Sequence, residues 1–169
     1  PAVCAPGSRD QWGDVDGQWQ AEDVHFGDIV DFDVVHRATE GMDAIIHLAV
    51  HFPYRSDTPE EHNTQSFLVN LKGLWNVLES AHRRGIDRVV HIGSCVTVHP
   101  RGVFFDAHTR SVEGSQYGIC KRLQEERGRQ VHDAFGMKTV GLRPGDIGTR
   151  PAGDRRPQTR RGGGRGRGT

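Results

Sequence analysis

Cysteine is scarce in this chain. Only Cys4, Cys95 and Cys120 occur in 169 residues, too few and too scattered for a disulfide framework or a cysteine-rich zinc site. Long apolar runs are missing, and none approaches the roughly 18 residues of a membrane-spanning helix. There is no basic-then-apolar start of the secretory kind, so the expected location is cytoplasmic. Ten histidines are present, yet no H-x-x-x-H pair falls on a plausible helix, and no metal site is expected. Apolar residues make up 34%, low for a well-packed domain, which is expected if the ends do not contribute to a core. The length suits one domain and is short for two.

Basic and acidic residues balance at 22 each, but unevenly along the chain. Residues 150–169 hold seven arginines, one aspartate and six glycines, a local charge of +6, which leaves −6 on residues 1–149. Arg/Gly repeats of this kind cannot bury a core. The expected division is therefore a folded domain over 1–149 and a disordered Arg/Gly-rich tail over 150–169. RNA binding through phosphates and stacking is one reading of the tail, but it contains no aromatic residue. With only three lysines among the 22 basic residues, out-of-frame translation of GC-rich DNA or a truncated gene model is the preferred reading. Nucleic acid is thus not an expected partner.

Local signals alternate along the folded part. Residues 1–5 form a short strand candidate, followed by a turn-rich stretch to residue 22, and Val24–Phe26 forms another. Asp31 can cap a short helix over Phe32–Glu40, with Gly41 closing it. The apolar run Asp43–Ala49 has the composition of a strand buried on both faces. Thr58-Pro59-Glu60-Glu61 is a strong helix start. That helix should run to about Arg84, with Phe67, Leu68, Leu71, Leu74, Trp75 and Leu78 as its single apolar face. A buried strand over Asp87–Gly93, a helix from Ser115 to about Ala134 and a strand over Lys138–Leu142 complete the series. The pattern predicts an α/β fold: a partial, doubly wound parallel sheet with helices on both faces. Ligands of such sheets lie beyond the carboxyl ends of the strands. That rim carries His47-Leu48-Ala49, Gly93-Ser94-Cys95 and Arg143-Pro144-Gly145-Asp146.

Tyr117 and Lys121 form Y-x-x-x-K on a predicted helix, so both side chains share one face. A free phenol ionises near 10, and a neighbouring ammonium favours the phenolate, which makes such a pair a usable acid/base for a hydroxyl or carbonyl. The plain alternative is a helix-surface pair.

At these residues a family resemblance emerges. VHFGDIVD (24–31), GMDAIIHLA (41–49), VNLKGLWNVLESAHRRGIDRVVHIGS (69–94), YGICK (117–121) and LRPGD (142–146) occur in an order and at spacings similar to those of the extended short-chain dehydrogenase/reductases, the NAD-dependent epimerase/dehydratase group. The resemblance implies a Rossmann-type domain binding NAD or NADP, with hydride transfer at C4 of the nicotinamide. It implies Tyr117 as acid/base, and Lys121 as the residue that binds the nicotinamide ribose and favours the phenolate. It places Asp28 and Ile29 at the adenine, Ala49 near the pyrophosphate and ribose, and Pro144 at the nicotinamide face. Asn70 matches a family asparagine, and its alternative role is to bond nearby loop backbone.

Departures from the family pattern bear on activity. Where a Ser or Thr usually holds the substrate oxygen, matching Val98 to the family valine puts Cys95, a weak donor, with Ser94 just before it; Ser94 or Thr97 is the expected substitute. No G-x-x-G-x-x-G loop occurs anywhere in the chain. If PAVCA is the family's second strand, the first strand and its phosphate loop are not represented, a gap in the sheet follows, and weak cofactor binding is expected. Near that strand, Arg9 suits a 2′-phosphate and Asp10 a 2′-hydroxyl, which leaves NAD and NADP both open. The implied function is an NAD(P)-dependent oxidoreductase, epimerase or dehydratase acting on a nucleotide sugar or related small molecule. Its alternatives are a carbonyl or alcohol reductase of the sterol or flavonoid type, and a non-catalytic Rossmann-like protein. The family further implies homodimers built from the two long helices.

Overall fold

The computed structural model describes residues 2–4, 24–51, 58–95 and 114–144. The elements are β1 (Ala2–Cys4), β2 (Val24–Phe26), α1 (Phe32–Ala38), β3 (Ile45–His47), α2 (Pro59–Gln65), a π-helical segment (Ser66–Lys72), α3 (Gly73–Arg84), β4 (Arg88–Ile92), α4 (Gln116–Phe135) and β5 (Lys138–Leu142). Among the described residues every strand pair is parallel. The strands form two ladders, β1–β2 and β3–β4–β5. Among the described residues no strand bridges the two ladders. The stretches 5–23, 96–113 and 145–169, with the tail, Gly145 and Asp146, lie outside the described residues.

Helix ends follow their local chemistry. The Asp31 carboxylate accepts the N–H groups of Asp33 and Val34 at the start of α1. Thr58 and Glu61 form a reciprocal capping box on α2, with Pro59 in the first turn. Gly85 and Gly136 end α3 and α4 at φ of 70° and 71°. Helix α1 stops at Ala38, two residues short of the expected Glu40. The Thr39 hydroxyl turns back onto the carbonyls of Val35 and His36, and Gly41 serves the turn beyond.

The core lies between the three-stranded ladder and helices α1, α3 and α4. Val35, Leu74, Val77, Leu78, Ala81, Ile86, Val89, Val131 and Met137 fill it. Polar staples fix the helices. Ser80 bonds Thr39 at 2.6 Å and His36 at 2.9 Å, and the Arg84 guanidinium donates to the His36 carbonyl.

Two expectations change. The six apolar residues of 67–78 do not make one face: Leu74 and Leu78 are buried, while Phe67, Leu68 and Trp75 are exposed. The π-helical turns over Ser66–Lys72 alter the rotation per residue, and the inward positions go to Ser66, Asn70 and Gly73. Nor is the 43–49 strand buried on both faces. Its register with β4 and β5 sets Ile45, His47, Val89, His91, Thr139 and Gly141 on one side, against the helices. Ile46 and Leu48 point to the other side, where they are 69% and 63% exposed because no described helix covers them. No helix among the described residues is long and apolar enough to cross a membrane.

Candidate active site

Helix α4 begins where the Ser115 hydroxyl accepts the Gly118 N–H, which sets Tyr117 in the first turn at the carboxyl rim of the sheet. Lys121 follows one turn later and is 2% exposed. Its ammonium donates to the Ile92 carbonyl at 2.7 Å, the last residue of β4, and stands 5.7 Å from the Tyr117 ring centroid. Burial pulls the Lys121 ammonium down to about 8, opposed by the neighbouring Cys120 and Glu125. At neutral pH most of it stays charged, beside a half-buried phenol.

The rim itself is an extension of the β4–β5 ladder. The Gly93 N–H donates to the Leu142 carbonyl at 2.6 Å, and the Cys95 N–H donates to the Pro144 carbonyl at 3.4 Å. Ser94 is buried, and Cys95 is a half-buried free thiol. Ser94, Cys95 and Pro144 are thus gathered at the strand ends onto which Lys121 docks. Thr97, Val98 and His99 lie outside the described residues.

Beneath the rim is a polar layer. Asn70, fully buried on the π-helical segment, accepts the His51 N–H through Oδ1 at 2.9 Å, and its carbonyl accepts Gln124 Nε2 at 2.6 Å. This is the loop-bonding role that sequence offered as the alternative for Asn70. His47 faces His91 across β3 and β4, both are 4% exposed, and neither ring nitrogen of His47 has a partner among the described residues. Burial first, then Lys121 and His91, hold the His47 imidazole neutral, down to about 3. His91 is lowered by the same burial and by Lys121, with Glu125 acting against them.

The residues expected at the adenine stand apart from this group, before α1. The Asp28 carboxylate accepts the Val30 N–H at 2.9 Å in an exposed turn. Ile29 packs against the core, and a Cβ at Gly73 would lie 2.8 Å from its methyl. Ala49 is half-buried just past β3. Two residues that shape the site, Asn76 and Glu125, were not singled out from sequence, and a third, Arg143, was placed on the rim without a role. Asn76, fully buried, donates to the Ile29 and Val30 carbonyls and so fixes the Asp28–Ile29 turn. Glu125 and Arg143 form a bidentate pair at 2.7 and 2.8 Å. The continued four-residue spacing Tyr117, Lys121, Glu125 was the available signal for the first of that pair.

Among the described residues no group of three or more His, Cys, Asp or Glu is set to hold a metal ion. The rim suits the nicotinamide end of a dinucleotide. It offers a phenol beside a buried ammonium and two strand-end segments that present a proline and small side chains.

A parallel α/β sheet with a tyrosine–lysine helix at its carboxyl rim defines a Rossmann-type, short-chain-dehydrogenase-like domain. More specifically, residues 6–160 match the NAD dependent epimerase/dehydratase family, and the chain belongs to that family. It is 30% identical over 129 residues to a uronate dehydrogenase of Pseudomonas syringae pv. tomato, which covers 73% of this chain and 44% of that protein. It is 29% identical over 132 residues to an L-arabinose 1-dehydrogenase (NAD(P)(+)) of Haloferax volcanii, covering 70% of this chain and 50% of the other. Among solved structures, an epimerase from Methanothermobacter thermautotrophicus superposes with a TM-score of 0.63 at 32% identity, over 74% of this chain and 38% of that one. The chain therefore spans half or less of the length of these relatives.

Proposed function

We propose that the chain forms the catalytic rim of an NAD(P)-dependent oxidoreductase that oxidises a hydroxyl of a sugar acid or aldose. The supporting observation is the Tyr117–Lys121 pair, with its buried ammonium docked on the end of β4. The relatives named for uronate and L-arabinose favour an unactivated sugar over a nucleotide sugar. When bound, the nicotinamide supplies the hydride acceptor. Tyr117 takes the hydroxyl proton as the carbon–hydrogen bond breaks, an ammonium one turn away favours the phenolate, and the neutral sugar carbonyl leaves. Lys121 would hold the nicotinamide ribose, and Pro144 would bound the nicotinamide face. Ser94 or Cys95 would donate to the substrate oxygen, and Asp28 with Ile29 would bound the adenine, with Ala49 and Asn70 between. NAD is the first candidate and NADP the second.

The outer faces of the long helices expose Phe67, Leu68, Trp75, Ile119 and Leu123, and pairing of two copies there is part of the proposal. A non-catalytic Rossmann-like role is the second reading. It is favoured by the setting of Lys121, which is 2% exposed and whose ammonium already donates to the Ile92 carbonyl.

The test is NADH and NADPH titration by nicotinamide fluorescence, followed by NAD reduction with glucuronate, galacturonate, L-arabinose and UDP-glucose. Saturable binding is expected, with turnover on the free sugars that Tyr117→Phe lowers by about 100-fold or more. Turnover on UDP-glucose alone would move the substrate to a nucleotide sugar. No binding of either dinucleotide would leave the non-catalytic reading.

A further inference from the structure

We propose that Glu125 and Arg143 are positioning residues of this site: a largely buried ion pair, seated on Gly93, that clamps the Pro144 rim to the helix carrying Tyr117 and Lys121. The proposal rests on the acid/base reading above.

Tyr117, Lys121 and Glu125 follow one another at four-residue steps, so they form one stripe along α4. The stripe meets two adjacent strand ends. Lys121 bonds the last carbonyl of β4, and Glu125 takes Nε and Nη2 of Arg143, the first residue after β5. Next in sequence is Pro144, whose carbonyl accepts the Cys95 N–H. The clamp thus links the helix that carries Tyr117 and Lys121 to Pro144 and, through its carbonyl, to Cys95.

Its setting separates it from the surface pairs. The side chains of Arg143 and Glu125 are 22% and 10% exposed, against 62% and 50% for Arg129 and Glu126 on the same helix. Exposed pairs contribute little, whereas a bidentate, sheltered carboxylate–guanidinium pair is strong and geometrically demanding. The pairing pushes the Arg143 guanidinium up. Gly93 makes room for it: a Cβ there would come within 3.1 Å of Glu125 Oε1 and of the Leu142 carbonyl, and 3.5 Å from Arg143 Cγ. A well-packed apolar pair could bury this site at no loss of stability. What the ion pair adds is a fixed distance between α4 and the end of β5.

The pair also sets the charge around Lys121. The groups facing that ammonium are the Tyr117 phenol, Cys120 and Glu125 on α4, His47 on β3 and His91 on β4. Glu125 supports the ammonium, and Arg143 offsets Glu125. Removing either partner therefore has opposite consequences for Lys121, whereas simple loosening of the fold would move both variants the same way.

The experiment uses the full chain with 13C-labelled lysine, so that Lys121 is followed by NMR titration, and site-resolved alkylation of Cys95 read by mass spectrometry. Glu125→Gln should lower the Lys121 midpoint and Arg143→Gln should raise it. Both should speed Cys95 alkylation by about tenfold through local opening of the rim. Arg129→Gln should change neither. Should Arg143→Gln fail to fold, Arg143→Lys keeps the charge and loses the fork; faster alkylation is then expected with the Lys121 midpoint held. Shifts of the same sign in the two neutral variants, or an unchanged Cys95 rate, overturn the clamp. NADH titration of the same samples tests the parent reading separately. A chain with these shifts but no NADH binding would retain the clamp as architecture and lose its catalytic meaning.

Discussion

The two faces of the three-stranded ladder are unequal in an unexpected direction. The face under the helices carries Ile45, His47, Val89, His91, Thr139 and Gly141, and only two of these six, Ile45 and Val89, have apolar side chains. The opposite face, bare of any described helix, carries Ile46, Leu48, Val90, Ile92, Val140 and Leu142, six apolar residues, with Arg88 and Lys138 at the amino ends of β4 and β5. Apolar content therefore does not identify the covered side here. Two imidazoles and two small residues lie where α4 approaches closest. A Cβ at Gly141 would stand 2.9 Å from His91 Nε2, and one at Gly128 would stand 3.3 Å from the Thr139 hydroxyl oxygen. The covered face gives up apolar packing to bring a lysine and a carboxylate to the rim.

Truncation should expose this contrast most strongly. Leu74→Ala, at a position only 1% exposed against the helix-covered face, should cost about 3 kcal/mol in urea unfolding. The same change at Leu48 should cost under about 0.5 kcal/mol. Equal losses at the two positions would mean that the bare face is covered in solution.

Acid should act next. His47 is held neutral when folded, at about 3 against its ordinary 6.5. Between these values only the unfolded chain takes up the proton. The stability that rests on the neutral ring is therefore complete above 6.5 and falls as pH drops toward 3, at about 1.4 kcal/mol per pH unit. Going from pH 6.5 to 5 should cost about 2 kcal/mol more in the native sequence than in His47→Leu. Parallel pH profiles for the two would exclude a buried neutral imidazole.

Gly93→Ala should cost about 1–2 kcal/mol, because the new methyl meets a backbone carbonyl as well as the Glu125 carboxylate. Combining it with Glu125→Ala should recover part of that loss, and full additivity would place the strain elsewhere. The smallest effect is expected from Leu48→Ser. Stability should change by no more than about 0.5 kcal/mol, while binding of an apolar dye falls. Unchanged dye binding would locate the exposed apolar surface on another face.

Much of the fold was legible because its signals are local. Asp31, Thr58 with Glu61, Gly85 and Gly136 act through one turn of backbone, and each marks an element end in the structure. Tyr117 and Lys121 were legible for the same reason, since helical spacing alone puts them on one face. The single apolar face expected over 67–78 failed because periodicity assumes a constant rotation per residue, and the π-helical turns at Ser66–Lys72 break it. Asn76 gave no warning, because its partners, the Ile29 and Val30 carbonyls, lie more than 40 residues earlier. Arg143 stood inside a motif already noticed, yet its link to Glu125 depends on α4 crossing the end of β5, which only the tertiary structure shows.

The guanidinium of Arg127 lies 3.2 Å from the ring centre of Trp75, where α4 crosses α3. Of the three tryptophans, Trp12 and Trp19 lie outside the described residues. With those two replaced by phenylalanine, the indole at 75 becomes the single tryptophan, excited selectively over the two tyrosines at its red edge, with a cation against its π face. Its emission would then report in real time when the two long helices part, an internal optical gauge of whether the acid/base helix is seated.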